Sequence, residues 1–296
     1  EKINTSVLGV IPYFHLDIED EDSLTERFRK KSRSGLAKIA VIRLPRISNF
    51  TDIAPLEAVD ELDVSYVSNI SQFGDPDVVI IPGSKNTISD LLWMRQNGLE
   101  GKILRHAAKG GIVFGICGGY QMLGQSISDP TGAEQKGTVR GMGLLPVTTV
   151  FEQEKRRTRV SGRFAKVGGA LAEMSGVCYE GYEIHMGRTV LSKGTVPLVY
   201  MEEEGEQRQD GAQSDHVYGC YMHGIFDMSE TVKTFLAAVL RKKGIDPSKI
   251  TVRDRNAYKE EQYDRLASIV RENLNMEAVY KIIEKGNEAS CSLLSE

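Results

Sequence analysis

The residue best placed to do chemistry is Cys117, at the junction between an apolar run and a stretch with helical spacing. The run Gly111–Ile116 (GIVFGI) is followed by Cys117 and two glycines, so the thiol sits in a G-x-C-x-G pattern. This pattern is the cysteine counterpart of a nucleophile elbow, in which a sharp strand-to-helix turn lifts the nucleophile above a sheet. Bulky neighbours would clash in such a turn. The pattern predicts a nucleophilic cysteine, and the alternative is a small packing residue in a glycine-rich turn.

A nucleophilic thiol needs a base or a cation nearby, because a free cysteine with a pKa of about 8.5 is mostly protonated at neutral pH. Of the five histidines, His223 is our candidate, because it ends an apolar strand (YGCYMHG) just before a turn. A residue at such a strand end can reach the elbow of a neighbouring strand. His185 sits similarly in GYEIHMG. The contexts of His15, His106 and His216 favour structural roles.

The elements that must hold these residues alternate in a regular way from Lys38 onward. Apolar, β-rich runs separated by helical patterns occur at Lys38–Leu44, Glu61–Val67, Asp77–Gly83 and Gly111–Ile116. Such runs are typical of a parallel sheet that is covered on both faces. From Gly141 to Tyr221 strand signals dominate, and helices return from Glu230. The sequence therefore predicts an α/β fold with a doubly wound, mostly parallel sheet, a strand-rich second half and C-terminal helices.

Composition excludes several classes of protein. With 37 basic and 41 acidic residues the formal net charge is −4, which argues against a general nucleic-acid binder. We expect no signal peptide, and the chain contains no apolar run near the length of about 18 residues that spans a membrane. The four cysteines are scattered, without a CxxC pair or zinc spacing, so we expect no metal site. A reduced, cytoplasmic protein is the simplest interpretation, and its oligomeric state is left open.

Several separated stretches resemble the class I (triad-type) glutamine amidotransferases, and within them the cobyric and cobyrinic acid amidotransferases of cobalamin biosynthesis. The match starts from GICGGYQ around Cys117 and covers nearly the whole chain. The other matching stretches are RLPRISNFTD (Arg43–Asp52), IIPGSKNT (Ile80–Thr87), GYEIHMG (Gly181–Gly187) and YMHGIFD (Tyr221–Asp227). The stretch RLPRISNFTD resembles the cobyric acid branch in particular. The resemblance implies the class I amidotransferase type of sheet.

The resemblance also implies a role for each matching residue. Cys117 would attack the side-chain carboxamide of glutamine, and His223 would accept the thiol proton and later protonate the departing ammonia. The backbone N–H of Gly118, with one from the Gly83–Ser84 loop, would form an oxyanion hole. The residues expected to contact the substrate are Gln121, Glu183 and His185.

One departure from the family pattern concerns the acid that orients the histidine. Triad-type amidotransferases usually carry a glutamate two residues after the histidine, where this chain has Ile225. The cobalamin branch lacks this acid, so the departure fits the resemblance but leaves the third role open. By motif, the candidates are Asp227 and Glu183.

The resemblance further implies that the chain is part of a longer enzyme. Residues 1–36 would be the tail of an ATP-dependent synthetase domain plus a linker, and residues 37–246 the glutamine amidotransferase domain. Residues 247–296 would be a helical extension with a disordered tail. The phosphate-binding pattern G-x-x-x-x-G-K-[ST] does not occur in the chain. We therefore expect no cofactor here, and ATP and Mg²⁺ only in the synthetase domain.

The implied reaction releases ammonia from glutamine through a cysteine thioester and passes it to a corrinoid acceptor on the synthetase domain. There it would form the b, d, e and g amides of adenosylcobyrinic acid a,c-diamide and give cobyric acid. One alternative is the glutaminase of cobyrinic acid a,c-diamide synthase, or of a related enzyme with another acceptor, which the SNFTD stretch disfavours. Another is a catalytically silent docking module, which the intact Cys117, His223 and elbow glycines disfavour.

Overall fold

The structure is a computed structural model that describes residues 7–14, 16, 35–203, 206–249 and 255–292. Contacts between Cα atoms divide the chain into two units. One unit combines Glu1–Asp22 with Asp254–Glu296, and the other is Ser23–Arg253. The domain boundaries expected after residues 36 and 246 stay predictions.

Fourteen strands are found among the described residues. In chain order they are β1 (Ala37–Ile42), β2 (Ile47–Ser48), β3 (Leu62–Val67), β4 (Val78–Ile81), β5 (Gly83–Ser84), β6 (Ile112–Ile116), β7 (Ser126–Asp129), β8 (Gly137–Arg140), β9 (Val147–Phe164), β10 (Cys178–Leu191), β11 (Val199–Glu203), β12 (Glu206–Asp210), β13 (Ala212–Ser214) and β14 (Val217–Cys220).

Seven α-helices accompany these strands within the described ranges. They are α1 (Ala54–Glu57), α2 (Thr87–Gln96), α3 (Leu99–Ala108), α4 (Gly118–Leu123), α5 (Ser229–Lys242), α6 (Arg255–Asn273) and α7 (Met276–Ser292). Helix α7 continues to Ser292, so the expected disordered tail is helical up to that residue. No helix in the described parts of the chain has both the length and the apolar character needed to cross a membrane.

The larger unit is built on a six-stranded sheet with the order β13-β14-β6-β4-β1-β3. Strands β3, β1, β4, β6 and β14 are parallel to one another, and β13 alone is antiparallel. Every residue of β4 and β6 is buried. This is the burial of central parallel strands that are covered on both faces, and it explains their unbroken apolar sequences. The predicted fold class is confirmed.

A second six-stranded sheet holds much of the chain's strand-rich second half. Strands β12-β11-β9-β7-β8 follow one another in it, and β10 pairs with the long strand β9. A register shift between His185 and Gly187 interrupts the pairing of β10 with β9. Such a bulge bends a strand and re-aims its side chains. The bend lies within GYEIHMG, one of the stretches that the sequence singled out.

A two-stranded ribbon connects two further stretches of interest. In it, β2 pairs antiparallel with β5, so that Ile47 faces Ser84 and Ser48 faces Gly83. The ribbon brings RLPRISNFTD against the Gly83–Ser84 loop, although the two are distant in the sequence.

Candidate active site

Cys117 lies in the turn between β6 and α4, where its backbone has a φ of 53°. A positive φ strains a residue that carries a side chain, and such strain persists only when the surrounding structure enforces it. The neighbouring glycines have no room for a side chain. A Cβ on Gly119 would lie 1.9 Å from the Ile81 carbonyl oxygen, and one on Gly115 2.7 Å from the Tyr120 nitrogen. Cys117 is buried, with 7% of its surface exposed.

His223 follows β14, the strand next to β6 in the sheet. The Cys117 N–H donates to the Cys220 carbonyl at 2.9 Å, which aligns the ends of the two strands. The His223 backbone exchanges hydrogen bonds with Tyr182 of β10, and the two rings stack with their centroids 5.2 Å apart. The Cys117 side chain is close enough to the His223 ring to raise the pKa of that ring. The two residues that the sequence placed at neighbouring strand ends therefore meet.

Asp52 supplies a carboxylate to this histidine. Its Oδ2 lies 2.7 Å from His223 Nδ1, and its Oδ1 accepts the Gly224 N–H at 2.8 Å. Asp52 is buried in the 3-10 turn Phe50–Ile53, just after β2. Burial by itself lowers the pKa of His223, but the charge and hydrogen bond of Asp52, together with Cys117, raise it above the ordinary value of 6.5. Asp52 therefore favours a ring that can hold a proton taken from the thiol.

No local pattern predicts Asp52, and the two acids that the motifs offered for this place were Glu183 and Asp227. Glu183 is instead held by two arginines of the second sheet. Asp227 closes the turn after the histidine, where its N–H donates to the Gly224 carbonyl at 2.8 Å. The only available signal was that Asp52 ends one of the family-like stretches, because its separation of 171 residues from His223 leaves no local pattern.

The expected oxyanion-hole residues lie beside the elbow. A Cβ on Gly118 would come within 3.0 Å of the Ser84 nitrogen and 3.3 Å of the Ser84 Cβ. Gly83 packs against the histidine, since a Cβ there would lie 3.2 Å from His223 Cε1. The backbone of the Gly83–Ser84 loop therefore borders both Cys117's helix and the imidazole, and the role of these N–H groups stays a prediction.

Gln121 is buried rather than solvated, in the first turns of α4. Its Oε1 accepts a hydrogen bond from the Thr87 hydroxyl at 3.2 Å, and its Nε2 donates to the Tyr221 hydroxyl at 3.0 Å. The Tyr221 hydroxyl is also 2.6 Å from that of Thr189. This chain of hydrogen bonds fixes the carboxamide, while the second hydrogen on Nε2 leaves it able to donate once more.

Glu183 and His185 both lie on β10, and His185 lines a cavity of about 470 Å³. Glu183 is fully buried, with its Oε2 2.9 Å from Arg156 Nε and 2.5 Å from Arg208 Nη2. Burial alone would raise the pKa of Glu183, but His185, Arg208 and Arg156 lower it. His185 Nδ1 donates a hydrogen bond to the Gly187 carbonyl at 2.8 Å, and the His185 ring stacks on Tyr221.

Tyr221 links the surroundings of Gln121 to the cavity beside His185, because it contacts Gln121 on one side and lines the cavity on the other.

Among the residues that the structure describes, no cluster of three or more His, Cys, Asp or Glu side chains is arranged to hold a metal ion. The site itself brings together a thiol, an imidazole and a carboxylate.

Comparisons with known proteins point to one family. The family model described as "CobB/CobQ-like glutamine amidotransferase domain" matches residues 38–231. A protein named cobyric acid synthase from Ruminiclostridium cellulolyticum is 53% identical over 290 residues, which cover 97% of this chain and 56% of that protein. A protein of the same name from Lachnoclostridium phytofermentans is 44% identical over 293 residues, covering 96% and 57% respectively. The chain thus spans somewhat more than half the length of these curated relatives.

Among solved structures, a chain of PurLQS from Thermotoga maritima shares the fold. The TM-score is 0.51 at 16% identity, and the match covers 70% of this chain and 99% of that one. The family model accounts for both sheets and for the elbow, the histidine and Asp52, which all lie between residues 38 and 231. The chain belongs to the CobB/CobQ-like glutamine amidotransferase domain family.

Proposed function

We propose that this chain hydrolyses glutamine to glutamate and ammonia, with Cys117 as the nucleophile and His223 as the residue that transfers protons. The observation that supports this most is the meeting of a strained thiol, an imidazole and a buried carboxylate. Cys117 and His223 follow strands of the parallel sheet at their carboxyl ends, the place where α/β proteins gather reacting groups, and Asp52 reaches His223 from the turn after β2.

In the proposed reaction, the His223 ring accepts the thiol proton while the sulfur attacks the carboxamide carbon and forms an S–C bond. The N–H groups of Gly118 and of the Gly83–Ser84 loop stabilise the resulting oxyanion. When the oxyanion collapses, the C–N bond breaks and the proton on His223 passes to the nitrogen, so that ammonia leaves. Water then cleaves the γ-glutamyl thioester, which yields glutamate and restores the thiol.

Asp52 acts in this scheme by holding the ring. Its carboxylate accepts the Nδ1 hydrogen, which leaves Nε2 as the nitrogen that exchanges protons with the thiol and the leaving group. We propose substrate contacts for Gln121, whose carboxamide is fixed by Thr87 and Tyr221. His185 is proposed to contribute from the neighbouring cavity, which it lines together with Tyr221. Glu183 is proposed to contribute through Arg156 and Arg208, its ion-pair partners, which also line that cavity.

The proposal for the whole protein extends beyond the described residues. We propose that the ammonia serves an ATP- and Mg²⁺-dependent synthetase part that amidates the b, d, e and g carboxylates of adenosylcobyrinic acid a,c-diamide in the cytoplasm. The names of the two relatives given above support this acceptor. An acceptor assay on the full-length protein, with ATP and either cobyrinic acid or its a,c-diamide, separates this reaction from that of cobyrinic acid a,c-diamide synthase.

The glutaminase itself is tested by measuring ammonia and glutamate released from glutamine by the purified chain and its variants. We expect low turnover in the parent chain, because coupled amidotransferases withhold ammonia until the acceptor part is loaded. Cys117→Ser should abolish turnover, and His223→Ala should lower it by about a hundredfold or more, the usual contribution of a positioned proton carrier. Parental activity in His223→Ala would place the base elsewhere, and a parent chain without any activity would favour the docking module.

A further inference from the structure

Asn49 contacts the second ring nitrogen of His223, on the opposite side from Asp52. Its Nδ2 lies 2.9 Å from His223 Nε2. The residue has a φ of 50° and a ψ of 44°, a left-handed conformation that asparagine tolerates better than most residues. Asn49 therefore forms a hydrogen bond with His223 Nε2, the ring nitrogen that exchanges protons with the thiol in the proposed reaction.

The two neighbours of the ring favour opposite protonation states. The Asp52 carboxylate accepts the Nδ1 hydrogen and favours a protonated ring. A carboxamide NH₂ group can only donate, so it satisfies the lone pair of a neutral Nε2 and repels an Nε2–H. The titratable groups that act on the ring are Asp52 from the 3-10 turn and Cys117 from the elbow, and Tyr182 of β10 packs on its face.

The thiol has an acceptor other than the imidazole. Cys117 Sγ lies 3.7 Å from the Ile184 carbonyl oxygen, within the range of a hydrogen bond that involves sulfur. The thiol hydrogen can therefore point to Ile184 while Asn49 donates to Nε2. In this arrangement the sulfur and the ring are both neutral, and the sulfur is a poor nucleophile.

Resting on the proposed function, we infer that Asn49 is a positioning residue that holds the Cys117–His223 pair in a neutral resting form. Formation of the thiolate then requires that Asn49 withdraw its N–H from Nε2. This gives the glutaminase site a way to stay idle, which is separate from the machinery that breaks the carboxamide bond.

The segment that carries Asn49 is hydrogen-bonded to the Gly83–Ser84 loop, so a shift of one would displace the other. Ile47 and Ser48 pair with that loop in the ribbon, and the Lys85 N–H donates to the Arg46 carbonyl at 2.9 Å. The Arg46 N–H and guanidinium contact the buried Asp90, which also accepts the Ser84 hydroxyl at 2.7 Å. A shift of this segment that releases His223 would therefore also readjust the backbone around Ser84.

The test is the rate at which iodoacetamide alkylates Cys117 in the full chain, measured by peptide mass spectrometry from about pH 5 to about pH 10, a range that brackets ordinary histidine and cysteine titration. The variants are Asn49→Ala, which removes the donor, and Asn49→Asp, which replaces it with an acceptor of the same size. Asn69→Ala, in the exposed turn after β3, serves as the matched control. The exposed Cys178 of the same sample serves as the internal reference, because its alkylation rate reports differences between samples in the reagent or in folding.

We expect Asn49→Ala to speed alkylation of Cys117 near neutral pH by about threefold to tenfold, the effect of one net hydrogen bond, and to move the pH–rate profile to lower pH. Asn49→Asp should have an effect at least as large, because a carboxylate stabilises an Nε2–H. Unchanged or slower alkylation in both variants would overturn the inference. It would mean that the Asn49 oxygen faces the ring, or that the hydrogen bond between Asn49 and His223 does not affect the reactivity of Cys117. Should Asn49→Ala fail to fold, Asn49→Asp decides alone.

The same experiment separates this inference from the proposed function. If Cys117 reacts no faster than an ordinary thiol at every pH in the parent and in all variants, the proposed nucleophile itself is wrong. If Cys117 reacts fast and equally in all of them, the proposed function stands and the role of Asn49 falls.

Discussion

Asp52 brings a buried carboxylate to His223 from a stretch that lies 171 residues away in the sequence. Both of its oxygens are committed, one to the ring and one to the Gly224 N–H, which fixes the carboxylate relative to the turn that carries the histidine. A carboxylate held at both oxygens orients the imidazole without rotating away.

Asp52→Asn should therefore lower glutamine hydrolysis by about a hundredfold to ten-thousandfold, since an amide in this place favours the wrong tautomer of the histidine. The loss should appear in kcat rather than in KM, because Asp52 acts on the ring and not on glutamine. Asp227→Asn is the matched comparison, and we expect a much smaller loss from it. If Asp227→Asn proved the more damaging of the two, the acid assigned here would be wrong.

Asp210 gives a pH-dependent prediction for stability. The carboxylate is buried, and burial raises its pKa from 3.8 to about 6, although it accepts the Tyr221 N–H at 2.8 Å. Because the folded-state pKa is the higher one, the folded chain binds the proton more tightly, and stability falls as the pH rises between these two values.

The parent chain should accordingly gain stability relative to Asp210→Asn when the pH is lowered from about 7 to about 5. Asparagine keeps an oxygen for the Tyr221 N–H but does not titrate. The free energy of unfolding in urea, measured for both proteins at both pH values, checks this. The same pH dependence in the two proteins would show that Asp210 is not the group responsible.

The sequence could predict Cys117 and His223 because each stands at a strand end with a local signature. It could not predict Asp52 or Asn49, whose partner is more than 170 residues away and whose role depends on how the ribbon folds against the sheet. It placed Gln121 near the site, but its burial and its bonds to Thr87 and Tyr221 depend on contacts that no spacing encodes.

At the scale of elements, the elbow depends on how closely α4 approaches the end of β4. The 1.9 Å between a Cβ on Gly119 and the Ile81 carbonyl oxygen leaves no room for any side chain, and the atom it would strike is backbone. Glycine is required here by close approach and not by a positive φ, since Gly119 is helical.

Gly119→Ala should destabilise the fold by about 2 kcal/mol or more, because a methyl group inserted against fixed backbone strains a packed core. Gly101→Ala is the control of the same type inside α3, where a Cβ meets nothing nearer than the flexible end of Arg105 at 3.7 Å. That change should stabilise the chain by up to about 1 kcal/mol, through helix propensity. Urea unfolding measures both, and equal effects of the two changes would refute the packing argument.

The alternation of apolar strands with helical patterns was enough to predict the parallel sheet, since buried parallel strands have unbroken apolar sequences. The pairing in the second sheet was not predictable in the same way. Its long strands β9 and β10 pair over more than ten positions, but the bulge after His185 shifts their register, and nothing local in GYEIHMG specifies it.

For the molecule as a whole, the two units differ in what they contain. The unit Ser23–Arg253 holds both six-stranded sheets, Cys117, His223 and Asp52, and it includes the range that the family model matches. Within the other unit, the Asn275 N–H donates to the Leu8 carbonyl at 2.8 Å, next to an antiparallel bridge between Gly9 and Leu274.

A shortened chain of residues 23–253 should therefore fold cooperatively and keep the reactivity of Cys117 towards electrophiles. The reason is that both six-stranded sheets, Cys117, His223 and Asp52 lie within these residues. Urea unfolding followed by circular dichroism and by tyrosine fluorescence would give coincident curves. Aggregation, or two separate transitions, would show that this unit depends on the other.

The central claim, that Cys117 is an activated nucleophile for glutamine, is tested most directly by intact-mass and peptide mass spectrometry after exposure to a diazoketone analogue of glutamine. Our account predicts one adduct per chain, at Cys117, absent in Cys117→Ser and strongly slowed in His223→Ala. An unmodified chain, or an adduct at the exposed Cys178 instead, would contradict it.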